Sequence, residues 1–245
     1  MKAIITDLDR TLLHTDKTLS SYSVDILQKC RDRGIPVMAA TARPLRSIQI
    51  YDDILHFQAV TTMNGARIIL PNRILENGIP HPSAKQILSQ IITIPDVVIS
   101  VETADGLFSN TEIPEWNTKL FADFPSLPST GILYKILVSN ILPEQIENTL
   151  TEDTYFTIAD SSLVQIMSKK STKWNGIQVM LESLGISPED AVYFGDDYDD
   201  IQPIQMCGTG VAVSNAIPDV LHEADDITSS NDEDGVAHYI EEHIL

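Results

Sequence analysis

Hydrophobic and polar positions along the chain form short continuous apolar runs separated by stretches of helical period. That alternation is the mark of an α/β protein with a parallel sheet. Residues 2–6 read as a buried first strand. Ser20 or Ser21 can cap a helix whose Val24, Leu27 and Cys30 share a face, and Gly34 suits its end before a strand over 35–40. A further helix follows Pro44. Residues 59–62 are a short strand, and 66–70 and 73–76 flank a Pro71-Asn72 turn as a hairpin. Toward the other end, 173–184 reads as a helix closed by Gly185, and 191–194 as a fully buried strand. A helix over 199–206, a strand over 209–213 and helices over 218–223 and 234–243 complete this half.

The texture changes over residues 80–171. Pro80, Pro82, Pro95, Pro114, Pro125, Pro128 and Pro143 interrupt shorter elements there. Helical stretches at 84–92 and 144–150 mix with strands at 97–101, 133–139, 155–158 and 163–167 and an Asp105-Gly106 turn. The pattern predicts a smaller α/β domain, 80–171, inserted into a first domain made of 1–79 and 172–245. The sequence contains no internal repeat and no low-complexity segment.

Charge narrows the choice of partners. The 245 residues carry 16 Lys and Arg against 35 Asp and Glu, a net charge of −19, and neither Lys nor Arg occurs after Lys173. So acidic a chain repels nucleic-acid phosphates and anionic membranes, so neither is an expected partner. The opening apolar run is too short for a signal peptide and no later run reaches membrane-spanning length, which leads us to expect a cytoplasmic protein. Cys30 and Cys207 lack metal or redox spacing and read as buried hydrophobes, and the 6 histidines show no ligand spacing. Trp116 and Tyr134, in the inserted region, read as core aromatics.

Four segments carry chemistry. Asp7-Leu8-Asp9-Arg10-Thr11 directly follows the first strand, where open α/β sheets bind ligands, although alone it also suits an Asx-type turn. Thr41-Ala42-Arg43 follows the second strand and offers a hydroxyl and a forked cation to an oxyanion. Gly195-Asp196-Asp197-Tyr198-Asp199-Asp200 crowds four carboxylates after an apolar strand, which calls for solvent or for a hard cation such as Mg²⁺. Lys173 is the cation nearest in sequence that could balance them.

In order and context these segments resemble the four motifs of the haloacid-dehalogenase-like hydrolase superfamily, over nearly the whole chain. Similarity is greatest to its Cof-type members with a type II cap, and Asn64-Gly65-Ala66 and residues 210–216 also look like that subfamily's pattern. The resemblance implies a doubly wound, Rossmann-like core with the 80–171 insertion as a cap that selects the substrate. It implies a Mg²⁺-dependent phosphatase acting on a small phosphorylated metabolite, with a sugar phosphate as the expected substrate. Asp7 would be the nucleophile that forms an aspartyl-phosphate, and Asp9 the acid and then the base. Thr41 would bind the phosphoryl oxygens, and Lys173 would offset charge. Mg²⁺ would be held by Asp7, the Asp9 backbone carbonyl, Asp196 and Asp200, the last directly or through water. Thr11, Arg43, Asn64, Gly65 and Asn215 would support the phosphate side.

Two departures stand out: Arg10 occupies a position where that subfamily usually has Gly, and Asp199 one where Asn is common. A phosphomutase, or a receiver-type module carrying a phosphorylated aspartate, shares parts of this pattern. Asp9, two residues past the nucleophile, favours the hydrolase. Oligomeric state leaves no trace in the sequence.

Overall fold

The computed structural model describes residues 3–121, 132–159 and 162–245. Lys2, Pro125 and Pro128 lie outside them. The chain divides into two compact units, Met1–Leu75 with Thr172–Leu245, and Glu76–Ser171. The inserted unit thus begins four residues before the expected Pro80.

In chain order the first segment contributes β1 (Ala3–Thr6), α1 (Ser21–Asp32), β2 (Val37–Ala40), α2 (Leu45–Leu55), β3 (Ala59–Thr62), β4 (Arg67–Leu70) and β5 (Arg73–Glu76). The middle contributes α3 (His81–Ile91), β6 (Val98–Thr103), β7 (Gly106–Ser109), β8 (Lys119–Leu120), β9 (Leu133–Ser139), α4 (Pro143–Glu147), β10 (Thr154–Ala159) and β11 (Leu163–Ser168). The last segment supplies α5 (Lys173–Ser183), β12 (Ala191–Gly195), α6 (Ile201–Met206), β13 (Thr209–Val213), α7 (Pro218–Glu223), β14 (Asp226–Thr228) and α8 (Gly235–His243).

The first unit is built on the sheet β14-β13-β12-β1-β2-β3-β4-β5. Pairings from β14 through to β3 are parallel, and β4 turns antiparallel to β3. Such a sheet is covered on both faces, so its central strands must be largely apolar, and β1, β2 and β12 are buried at every position. The chain winds outward from β1 on one side and from β12 on the other. The strand order therefore reverses between these two neighbours, and their carboxyl ends frame the crevice where doubly wound sheets bind ligands. Ser20 accepts the Ser23 N–H to start α1, and Gly34 (φ 72) and Gly185 (φ 65) follow the ends of α1 and α5 in the left-handed conformation.

The second unit has the sheet β10-β11-β9-β6-β7-β8, antiparallel apart from the β7–β8 pair. Alternation along its strands buries Ile99, Val101, Ile136, Val138, Val164 and Ile166 in one apolar cluster with Ile87 and Ile91 of α3 and Ile146 of α4.

Local chemistry explains where the elements depart from expectation. The helix expected over 144–150 stops at Glu147, because both the N–H and the hydroxyl of Thr149 bond the Ile146 carbonyl and tighten the chain into a turn. Helix α3 starts at His81 rather than 84, since Pro82 fits the first turn, where no N–H is needed. The helix expected over 199–206 is a 3₁₀ turn, Tyr198–Asp200, followed by α6. Strands β8 and β14 have two and three residues, too short for a periodic signal, and β7 begins at the glycine of the expected Asp105-Gly106 turn. Trp116 is 38% exposed and so is not a core residue, whereas Tyr134 is buried and its hydroxyl donates to Glu76. Cys30 and Cys207 are buried free thiols. Among the described residues no helix is long and apolar enough to cross a membrane.

Candidate active site

The two central strands end side by side, and the side chains that follow them meet. The Asp7 N–H donates to the Phe194 carbonyl at 2.9 Å, continuing the β1–β12 ladder one residue past β1. Asp7, Asp196 and Asp200 are all buried, and one carboxylate oxygen from each lies within 4.8 Å of the others. Three anions at that separation repel strongly unless cations intervene. Lys173 is one: its Nζ donates to Asp7 Oδ1 at 2.8 Å and to Asp200 Oδ1 at 2.6 Å.

The position of Lys173 follows from the helix it opens. Thr172 caps α5 by accepting the Asn175 N–H, which fixes Lys173 as the first helical residue. A turn at residues 63–65 packs against that cap, with Met63 at φ 51 and Asn64 at φ 53. Gly65 has φ 92, and a Cβ there would sit 2.2 Å from the Thr172 carbonyl oxygen. Gly65 thus permits a close backbone approach between this turn and the cap of α5.

Asp200 is the most tightly held of the carboxylates. Oδ1 accepts from Lys173 and from the Tyr193 hydroxyl, and Oδ2 accepts the N–H groups of Asp196 and Asp197 at 2.9 and 3.0 Å. With four donors in place, this carboxylate anchors Lys173 and the 196–197 turn. Asp196 is freer: Oδ1 accepts the Thr11 hydroxyl at 2.8 Å, and Oδ2 lies 4.0 Å from Arg10 Nε. Burial, reinforced by the Asp200 charge, pushes the Asp196 carboxyl up to about 6. Burial likewise raises Asp7 well above the usual carboxylate range; Lys173 pulls it down, and Asp200 and Asp196 push it further up. Burial alone would lower Lys173, but the charges of Asp200 and Asp7 outweigh it and hold the ammonium form.

Asp9 faces a different environment. Arg43 grips it with both prongs, Nε on Oδ2 at 2.6 Å and Nη2 on Oδ1 at 2.7 Å, and Lys17 Nζ reaches Oδ1 at 2.6 Å. Burial opposes the charge of Asp9, yet the bonds from Arg43 and Lys17 outweigh it and hold the carboxyl below its ordinary value. Arg43, expected on the phosphate side, is thus committed to Asp9. Thr41 is buried at the end of β2, its Oγ1 accepting the Arg43 N–H at 3.2 Å. Asn64 donates to Asp199, and its buried Oδ1 finds no partner among the described residues. Asn215 donates to the Arg10 carbonyl at 2.8 Å and accepts the Asn231 N–H at 2.9 Å, so it braces the loop after β1. Arg10 has φ 58, the conformation that explains why Gly suits its position.

The first unit therefore brings together Asp7, Thr11, Lys173, Asp196 and Asp200 at one centre, and Asp9 with Arg43 beside Thr41. Sequence reasoning missed Lys17, Tyr193 and Tyr51, whose hydroxyl donates to the Lys17 carbonyl at 2.8 Å. Tyr193 had a usable signal, a phenol in the otherwise apolar strand β12; Lys17 and Tyr51 had none.

A family model described as haloacid dehalogenase-like hydrolase matches residues 4–240. The chain belongs to this family. Among relatives of this hydrolase, 5-amino-6-(5-phospho-D-ribitylamino)uracil phosphatase YitU of Bacillus subtilis is 25% identical, over 98% of this chain and 96% of its own. A solved haloacid dehalogenase-like hydrolase from B. subtilis superposes with a TM-score of 0.85 at 24% identity, covering 100% of both chains. A solved subclass IIB sugar phosphatase gives 0.81 at 20% identity, covering 99% of this chain and 98% of its own. These two structural likenesses speak to the fold.

Proposed function

We propose that this hydrolase, a phosphoric monoester hydrolase like its named relatives, is a Mg²⁺-dependent phosphatase of small phosphorylated metabolites that works through an aspartyl-phosphate. The observation that carries this reading is the buried meeting of Asp7, Asp196, Asp200 and Lys173, three carboxylates facing one ammonium. The centre lacks one or two positive charges, and its donors are all oxygen, a set suited to a hard divalent ion. Asp7 and Asp196 would hold that ion with the Asp9 carbonyl, while Asp200, saturated by four donors, stands behind them. When bound, Mg²⁺ supplies charge neutralisation for the phosphoryl oxygens.

Asp7 attacks phosphorus: a bond forms from its carboxylate oxygen as the bond to the leaving oxygen breaks. Lys173 orients that carboxylate and shares the charge of the transferred group. Asp9 would give a proton to the leaving oxygen and then remove one from the water that splits the acyl phosphate. To enter this cycle protonated it must first be released from the Arg43 and Lys17 bonds that hold it ionised here, a release we assign to substrate binding. Thr41, beside Arg43, offers its hydroxyl to the phosphoryl oxygens. We assign substrate selection to the inserted unit acting as a cap, and we expect a sugar phosphate or similar polyol phosphate, in keeping with the phosphorylated ribityl compound that YitU is named for.

Phosphate release across a panel of sugar phosphates, phosphorylated sugar acids and nucleotides, with and without Mg²⁺, tests the reading. Metal-dependent release from polyol phosphates supports it. Inactivity on every member, or phosphoryl transfer to a second sugar hydroxyl in place of release, overturns it.

A further inference from the structure

The loop that follows β1 is tied at Arg10, Leu13 and Thr15 to one turn far along the chain, the 3₁₀ segment Asn231–Glu233 that precedes α8. Asn231 is buried, and its Nδ2 donates to the Leu13 carbonyl at 2.9 Å. Its backbone N–H donates to Asn215 Oδ1 at 2.9 Å, which turns the Nδ2 of the same amide onto the Arg10 carbonyl at 2.8 Å. Asp232 accepts both the N–H and the hydroxyl of Thr15, at 2.7 and 2.8 Å.

The tie at Arg10 bears on the site. Arg10 has φ 58, a left-handed conformation in which a side chain crowds the backbone, and such a conformation persists only where its surroundings fix it. The Asp9 carbonyl belongs to the planar peptide that the φ of Arg10 rotates, so relaxation of this angle reorients that carbonyl. A carbonyl free to swing can still serve Ca²⁺, which accepts oxygen ligands in flexible geometry. It serves Mg²⁺ poorly, since that smaller ion demands a near-ideal octahedron.

We propose that the Asn231–Glu233 turn is a clasp that sets which divalent ion the site prefers, holding Arg10, and through it the Asp9 carbonyl, in the fixed arrangement that Mg²⁺ needs and Ca²⁺ does not. The inference rests on the reading of that carbonyl as a metal ligand. It differs from a plain staple between two distant loops, which would stabilise the fold and leave the ion preference of the folded protein unchanged.

Calorimetric titration of the full chain with MgCl₂ and, separately, with CaCl₂ distinguishes the two. Asn215→Ala releases Arg10 directly, and Asn231→Leu keeps the size of the side chain but cannot donate to Leu13. Asp232→Ala is an exposed change that frees Thr15 and keeps the test open if a buried variant fails to fold. Loss of a residue that orients a metal ligand typically weakens binding by about 10–100-fold, so the Mg²⁺ Kd should rise about tenfold in Asn215→Ala and Asn231→Leu and about threefold in Asp232→Ala. The Ca²⁺ Kd should stay within about twofold in all three. Equal losses for both ions, or an unchanged Mg²⁺ Kd in every folded variant, overturn the clasp and leave the metal site standing. Failure of the unaltered chain to bind Mg²⁺ overturns the reading of the site itself.

Discussion

Asp7 and Asp9 are two residues apart in one loop and sit in opposite electrostatic environments. Asp9 is partly exposed and receives three charge-assisted bonds from two cations, which favour its ionised form. Asp7 is buried with Asp196 and Asp200, and the described residues supply one lysine for all three. The carboxylate is the same chemical group in each case, and the contrast supports different proposed roles for the two. A group already compensated by protein cations has no need of a metal, whereas the buried trio is left with excess negative charge that a divalent ion can offset.

The largest expected effect removes the proposed nucleophile. Asp7→Asn should lower turnover by at least about 10⁴-fold, as loss of a catalytic nucleophile does, with circular dichroism unchanged. Next comes Lys173→Met, which should cost about 10²–10³ in kcat. It should also cost about 3–5 kcal/mol in stability, because Asp7 and Asp200 are left buried without their shared cation; denaturant titration of the metal-free protein measures this loss. If Lys173→Met proved harmless, the trio would not be short of positive charge.

The contrast also predicts a pH dependence. Asp196 is raised from 3.8 to about 6 in the folded chain. The folded state therefore holds that proton more tightly than the unfolded chain, and its stabilising contribution is complete below pH about 4 and lost as pH rises through about 6. For this one group the loss is roughly 1–3 kcal/mol. Thermal unfolding of chelator-treated protein should show lower stability at pH 7 than at pH 5 from this source, and Mg²⁺ should restore it at pH 7. Asp9, shifted downward, contributes in the opposite sense, losing its stabilisation as pH falls below the ordinary carboxylate value. The smallest effect is expected of Arg10→Gly. It removes a half-exposed cation 4.0 Å from Asp196 and relieves a left-handed backbone. Mg²⁺ should then bind about twofold more tightly by calorimetry, a surface-charge effect of below about 1 kcal/mol.

The strands and most helices of the first unit were legible because burial on both faces leaves continuous apolar runs, and capping residues such as Ser20, Gly34 and Gly185 mark the ends. The motifs were legible because a doubly wound sheet brings its strand ends together, so residues far apart in sequence, Asp7 and Asp196, could be expected to meet. What the sequence could not show is which donor each polar side chain finds. Arg43 turns to Asp9 rather than outward, Asn215 and Thr11 brace the loop and Asp196, and Gly65 makes room for the Thr172 carbonyl. Those outcomes depend on ångström-scale approach between elements, which spacing along a chain does not encode. The strands β8 and β14 escaped because two or three residues cannot display a period.

Covalent phosphorylation of Asp7 can be read directly. Protein turning over substrate with Mg²⁺ is acid-quenched, the acyl phosphate is reduced with borohydride, and the peptides are sequenced by mass spectrometry. Conversion of Asp7 to homoserine is expected, requiring substrate and Mg²⁺ and absent from Asp7→Asn. Reduction at another carboxylate, or steady turnover with Asp7 never modified, would contradict it.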